Sequence, residues 1–146
     1  MKARLVLTFA IATVLFVPWT AMAQVPEGVH PTEILNQLIQ SIPGKRIRVT
    51  RIVIEPGKDV SAHNHPGDEY GIVLEGTLML KMGNADYIPY SADSTDNNFC
   101  VPRDTPMNVK NTTDRAATMI SILIIDADKP PLHYLHEWPY SASNPC

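Results

Sequence analysis

The sequence predicts a single all-β barrel with a short N-terminal helix and an irregular C-terminal arm. From Arg46 onward the chain consists of short apolar runs, rich in β-branched residues, that are separated by turn residues. It contains no internal repeat and no long linker, and its 146 residues leave room for one domain. A single barrel is therefore the simplest architecture.

The N-terminus has the pattern of a secretory signal peptide over residues 1–23. Lys2 and Arg4 precede an uncharged apolar run, and Ala21-Met22-Ala23 resembles a signal-peptidase site. The run is too short for a membrane anchor, which needs roughly 20 apolar residues. The sequence therefore predicts export to a periplasm or the extracellular space, with no membrane attachment after cleavage.

Cleavage would remove two positive and no negative charges, so the formal net charge would change from −3 to −5. The mature chain has no basic runs. Its charge gives no reason to expect nucleic acid as a partner.

A segment over residues 24–45 precedes the barrel, and a short helix is predicted within it. Thr32 can cap this helix, and the apolar residues Ile34, Leu35, Leu38 and Ile39 share one helical face. Pro43-Gly44 would end it.

The barrel itself is predicted over residues 46–126. Its clearest strand-like runs are Arg46–Glu55, Glu69–Glu75, Thr77–Met82, Asn98–Val101, Met107–Lys110 and Ala116–Ile125. The remaining residues, 127–146, are rich in proline and aromatic residues and predict an arm laid over the barrel or over a neighbouring subunit.

Cys100 and Cys146 would both meet an oxidising compartment after export. A disulfide between them would tie the end of the arm to the barrel, and a loop of this size is worth roughly 3–4 kcal/mol in the chain-entropy model. Two unpaired thiols, or a bond between subunits, are the alternatives.

Three residues suit a metal site. His63 and His65 are two positions apart, which on a strand directs both imidazoles to the same face. After a turn at Pro66-Gly67-Asp68, Glu69 begins a returning strand and can converge on the same point. Two imidazoles and one carboxylate are a ligand set for divalent iron, and they also hold manganese, nickel, copper or zinc.

These residues belong to a longer pattern that resembles the first motif of the cupin superfamily. Gly57, His63, His65, Glu69 and Gly76 occupy every position of that motif at its spacing. The resemblance covers the barrel and implies a jelly-roll-like cupin barrel. It also implies one divalent transition-metal ion held by His63, His65 and Glu69.

The second cupin motif is incomplete in this chain. At its glycine, proline, glycine, histidine and asparagine positions stand Asp96, Pro102, Asp104, Met107 and Asn111. Met107 replaces the histidine that supplies a fourth ligand. It could line the barrel beside a three-ligand site, serve as a thioether ligand that favours copper, or mark a site that no longer binds metal.

The resemblance to small exported cupins of the quercetin-dioxygenase-like, type-2 group implies a metal-dependent dioxygenase or related oxidoreductase, isomerase or lyase. Its substrate would be a small oxygenated organic molecule, and Glu69 could act as a catalytic base. The alternative is a non-catalytic protein that binds copper or a small ligand with Met107 as an extra ligand. Homodimers are common in the family and are expected here.

The substrate pocket should be lined by apolar residues of the returning strands. The candidates are Tyr70 or Ile72, Leu78 or Leu80, and Ile120 or Ile122.

Overall fold

The computed structural model describes residues 25–138, which form ten β-strands. The strands are β1 (Val29–Leu38), β2 (Lys45–Ile54), β3 (Asp59–Asn64), β4 (Gly67–Glu75), β5 (Thr77–Met82), β6 (Ile88–Ser91), β7 (Asn98–Val101), β8 (Met107–Lys110), β9 (Ala117–Asp126) and β10 (His133–Tyr134). The predicted all-β class is confirmed, and the six predicted strands correspond to β2, β4, β5, β7, β8 and β9.

The strands form two five-stranded antiparallel sheets. One sheet has the order β1-β2-β9-β4-β7, and the other has the order β10-β3-β8-β5-β6. Sequence neighbours such as β3 and β4 lie in different sheets, so the chain crosses repeatedly between the two layers. The arrangement is a jelly-roll-like barrel.

The predicted N-terminal helix is wrong, because its residues form strand β1. The backbone of β1 pairs along its whole length with β2, and the register shifts between Glu33 and Leu35, as in a β-bulge at Ile34. A bulge interrupts the two-residue alternation of a strand, so the apolar residues fall at helix-like intervals. The backbone hydrogen bonds between β1 and β2 outweighed this local pattern.

The hydrophobic core lies between the two sheets and borders a cavity there. Ile54, Val73 and Leu78 are fully buried there, and Leu80 and Met107 are 1% exposed. Burying such side chains is the main favourable contribution to folding, at about 1.5–3 kcal/mol each. The core excludes water from one side of the cavity that is described below.

The described part of the C-terminal arm packs on its own barrel. Strand β10 pairs with β3, placing Tyr134 opposite His63, and Trp138 Nε1 donates a hydrogen bond to the carbonyl of Gly83 at 2.8 Å. The predicted signal peptide and Cys146 lie outside the described residues. Within residues 25–138, no helix is long and apolar enough to cross a membrane.

Candidate metal and ligand site

The end of strand β3 delivers two buried histidines to the barrel interior. His63 lies on the strand and His65 directly follows it; they are 3% and 5% exposed. Their ring centroids are 4.9 Å apart and the ring planes are nearly perpendicular. The predicted convergence of the two imidazoles is therefore present in the structure.

Backbone carbonyls orient both rings. Nδ1 of His63 donates to the carbonyl of Ser61, and Nδ1 of His65 donates to that of Pro131, both at 2.7 Å. A carbonyl oxygen only accepts, so each Nδ1 carries the hydrogen, and the lone pair of a neutral ring is on Nε2. A metal-ligating histidine is typically oriented in this way, with one ring nitrogen on the metal and the other donating to a carbonyl or carboxylate.

Burial and the neighbouring His65 lower the pKa of His63 to about 4. His63 is therefore neutral at neutral pH, with Nε2 able to donate its lone pair. Burial also lowers the pKa of His65, but the Glu69 carboxylate outweighs it, so that the net pKa is raised.

Strand β4 carries Glu69 into the same interior, where it is 3% exposed. Ser121 Oγ donates a short hydrogen bond to Glu69 Oε1. Glu69 Oε2 lies 3.4 Å from His65 Nε2, and neither atom has a hydrogen-bond partner among the described residues. Although burial raises the pKa of Glu69, the attraction of His65 and the hydrogen bond from Ser121 outweigh it and lower the pKa.

The fit of this cluster to a metal ion depends on those two atoms. These two buried atoms face each other without a hydrogen bond, and a cation that contacts both would satisfy them together. Within residues 25–138, no group of three His, Cys, Asp or Glu side chains is already arranged around a metal position. The contacts shown are pairwise, His63 with His65 and His65 with Glu69, and the donor set suits a transition metal.

Met107 lies beside the cluster on strand β8. It is 1% exposed and pairs across the ladder with His63. The histidine position of the second motif therefore faces the site, as the resemblance implies. At this position the thioether of Met107 replaces an imidazole.

Other motif positions have structural roles. Gly57 and Gly76 have positive φ angles of 69° and 73°, which glycine adopts without steric cost. Asp104, at a glycine position of the second motif, also has a positive φ of 58°. Asn111 is 1% exposed, and its amide donates to two backbone carbonyls, at 2.9 and 2.7 Å.

The cluster borders a cavity of about 480 Å³ between the sheets and the C-terminal arm. Most of its wall is apolar, and Arg48 is the one lysine or arginine lining it in the described part of the chain. The wall is formed by Val25, Pro31, Arg48, Thr50, Ile52, Val60, His63, His65, Glu69, Met107, Val109, Met119, Ser121, Leu123, Pro130, Pro131, Leu132 and Tyr134.

The prediction of which apolar residues line the pocket is wrong. None of the candidates on β4, β5 and β9 lines the cavity. Tyr70 is 43% exposed, while Leu78 and Leu80 belong to the core. On β9, the inward set is Met119, Ser121 and Leu123, because strand alternation turns the even-numbered residues to the other face.

Sequence reasoning also missed Ser121 and Arg48. A signal existed for Ser121, a polar residue that interrupts the strongly apolar strand β9, but not for Arg48, because β2 carries several other basic residues.

Two antiparallel sheets that enclose a cavity with inward-facing histidines and a carboxylate define the class of jelly-roll-like β-barrels with a polar cluster in the interior. The family model described as "Cupin domain" matches residues 50–123, about half of the chain. The protein belongs to the cupin family. Among curated proteins, no match to the sequence is found.

Solved structures share the fold at low sequence identity. An oxalate oxidase in complex with the substrate analogue glycolate is 21% identical, with a TM-score of 0.58 over 75% of this chain and 56% of that one. A cupin superfamily protein from Desulfitobacterium hafniense is 15% identical, with a TM-score of 0.55 over 72% and 84% of the two chains.

An uncharacterised double-stranded β-helix protein from Klebsiella pneumoniae is 12% identical, with a TM-score of 0.57 over 76% and 87%. At these identities the likeness shows the fold alone.

Proposed function

We propose that this chain is an exported mononuclear-metal cupin that acts on a small oxygenated organic molecule as a dioxygenase-like oxidoreductase. The observation that carries the proposal is a pair of buried atoms, His65 Nε2 and Glu69 Oε2, which face each other at 3.4 Å without a hydrogen bond at the wall of an apolar cavity. Isomerase or lyase chemistry would use the same groups.

In this proposal His63, His65 and Glu69 hold the ion, which would be iron, manganese, nickel, copper or zinc. A bound ion of this kind supplies Lewis-acid or redox chemistry to a ligand oxygen. Ser121 donates to Glu69 Oε1, which leaves Oε2 to hold the ion, or to receive a proton from a ligand at a stage when Glu69 is not tightly coordinated. The apolar wall keeps water from competing for these groups.

The likeness to a glycolate-bound oxalate oxidase supports a small oxygenated substrate only by analogy of fold.

A non-catalytic copper protein is the second candidate function, and Met107 is the observation that favours it. A buried thioether facing His63 is a soft donor that suits cuprous copper. This function predicts that Met107 is needed for the metal to bind.

Elemental analysis of the mature protein purified from its native compartment tests both candidates. The variants are His63→Ala, Met107→Leu and, as a control, His136→Ala, which removes an exposed histidine outside the cavity. We expect a near-stoichiometric metal that is lost with His63 and kept in the other two variants. Oxygen uptake with candidate substrates would then test the oxidoreductase activity.

Copper that is lost with either His63 or Met107 would support the copper protein instead. A wild-type protein without metal, or equal loss in His136→Ala, would refute both candidates.

We also propose cleavage after Ala23 and a disulfide between Cys100 and Cys146. N-terminal sequencing of the exported protein tests the first. The disulfide predicts a pair of linked tryptic peptides that separate on reduction. It also predicts that reduction raises the intact mass by two hydrogens.

A homodimer through the free edge of β1 is the assembly we propose. β1 is the end strand of its sheet, and Ile34 and Leu38 on it are 59% and 56% exposed. A long edge strand with exposed apolar side chains is prone to pairing with another strand. A second copy can supply an identical edge in antiparallel orientation around a two-fold axis.

A further inference from the structure

We propose that Arg48 forms a carboxylate-binding subsite, so that the natural ligand of the cavity is a small organic acid with an apolar body. The inference rests on the proposed function in that the acid would share the cavity with the metal site.

The position of Arg48 follows from strand alternation. Arg48, Thr50 and Ile52 alternate along β2, and all three line the cavity. Arg51, on the same strand, is exposed and does not line it. Arg48 is therefore directed into the barrel, which is an unusual position for a charged side chain.

The register of the sheet aligns Arg48 with Glu69. Arg48 pairs with Leu123 of β9, and Leu123 pairs on its other side with Glu69 of β4. The two charged residues thus occupy one row, separated by a single strand. Their backbones are roughly 10 Å apart at the usual strand spacing. A ligand of modest length could contact Arg48 at one end and the metal site at the other.

The guanidinium of Arg48 has capacity for a ligand. Its buried Nε forms an ion pair with Glu33 Oε2 at 2.8 Å, although the contact does not have the geometry of a hydrogen bond. The contact with Glu33 is made at Nε, so the two terminal amino groups can donate to a ligand. Glu33 is 43% exposed and lies outside the cavity wall, so it balances the charge without filling the cavity.

A carboxylate is the group that matches these donors. It accepts two parallel hydrogen bonds from a guanidinium, and such charge-assisted bonds are stronger than those to a neutral acceptor. The apolar walls, including Ile52, Val60 and Leu132, would contact the body of the acid. A cavity of about 480 Å³ suits a small ligand.

Calorimetric titration with matched acids and amides tests the proposal. The probes are 4-hydroxybenzoate, which has a carboxylate and a hydroxyl at opposite ends of an apolar ring, and 4-hydroxybenzamide, its neutral counterpart. We expect the wild-type protein to bind the acid more tightly by roughly tenfold or more, the ratio that charged hydrogen bonds provide.

Arg48→Met should abolish this preference by weakening the acid and not the amide. Arg51→Met is the matched control, with the same substitution on the same strand but the opposite face, and it should keep the preference. Glu33→Gln should tighten acid binding by a few-fold, since it removes the carboxylate that competes for Arg48. This gain cannot arise from a misfolded protein.

Equal binding of acid and amide by the wild type, no binding of the acid, or equal effects of Arg48→Met and Arg51→Met would overturn the proposal. Each titration is made with metal-loaded and metal-free protein, and the metal content of each variant is measured. A wild type that holds no metal would refute the proposed function, while the acid preference of the metal-free protein would still decide the role of Arg48.

Discussion

Replacing Ser121 with alanine removes the hydrogen bond that holds Glu69 in place. Ser121 and Glu69 are each 3% exposed, so water cannot readily replace the lost hydroxyl. Glu69 Oε2 already lacks a hydrogen bond, and the substitution would leave Oε1 without one as well. Because a hydrogen bond to a buried charge is worth about 1.5–3 kcal/mol, we expect metal-free Ser121→Ala to lose about 2 kcal/mol of unfolding free energy.

The same change should weaken metal binding. The carboxylate would lose the group that fixes its orientation, and loss of such a contact behind a ligand typically lowers metal affinity about 10- to 100-fold. Urea unfolding in the presence of a chelator measures the first effect, and competitive metal titration measures the second.

Thr118→Val is the matched control on the same strand. Thr118 is 2% exposed and its hydroxyl donates to Glu75 Oε2 at 2.8 Å, away from the cavity. It should destabilise the protein and leave metal affinity unchanged. The reasoning would be refuted if Ser121→Ala kept wild-type stability and metal affinity, or if Thr118→Val weakened metal binding equally.

Three further changes test other parts of the structure. Asn111→Ala removes two buried hydrogen bonds to carbonyls and should lower the unfolding free energy by about 2–4 kcal/mol in chemical denaturation, with no loss of bound metal; an unchanged midpoint would contradict this role. The hydrogen bonds and charges of Arg103 and Lys45 lower the pKa of Asp126. The ionised carboxylate therefore stabilises the fold at pH values above the usual pKa range of carboxyl groups, and this stabilisation is lost as the pH falls through the lowered pKa. Asp126→Asn should therefore reduce the melting temperature at pH 7, with a difference that narrows in acid; a constant difference would argue against the ion pair. Ile34→Glu should shift the protein from dimer to monomer in light scattering, and a wild type that is already monomeric would exclude the proposed edge contact.

The sequence predicted the barrel well where strands have strong local signals. Runs such as Thr77–Met82 and Asn98–Val101 coincide with β5 and β7, since β-branched and apolar residues between turn residues carry the information locally. The first strand was missed because its stability comes from pairing with β2, which no local pattern reveals.

The sequence alone determined which residues could form the site. The spacing of His63, His65 and Glu69 predicts their convergence because it depends on strand alternation and one short turn, both of which are local. The structure places all three at the same cavity, with Met107 beside them. Their role as metal ligands stays a prediction.

Only the tertiary structure decided what surrounds these residues. The carbonyl that orients His65 belongs to Pro131, 66 residues away, and the hydroxyl on Glu69 belongs to Ser121, 52 residues away. Arg48 faces the same cavity because of the register of three strands. Such contacts depend on how distant segments pair, and the free energy of that pairing is set by the whole barrel, so no pattern within one segment encodes them.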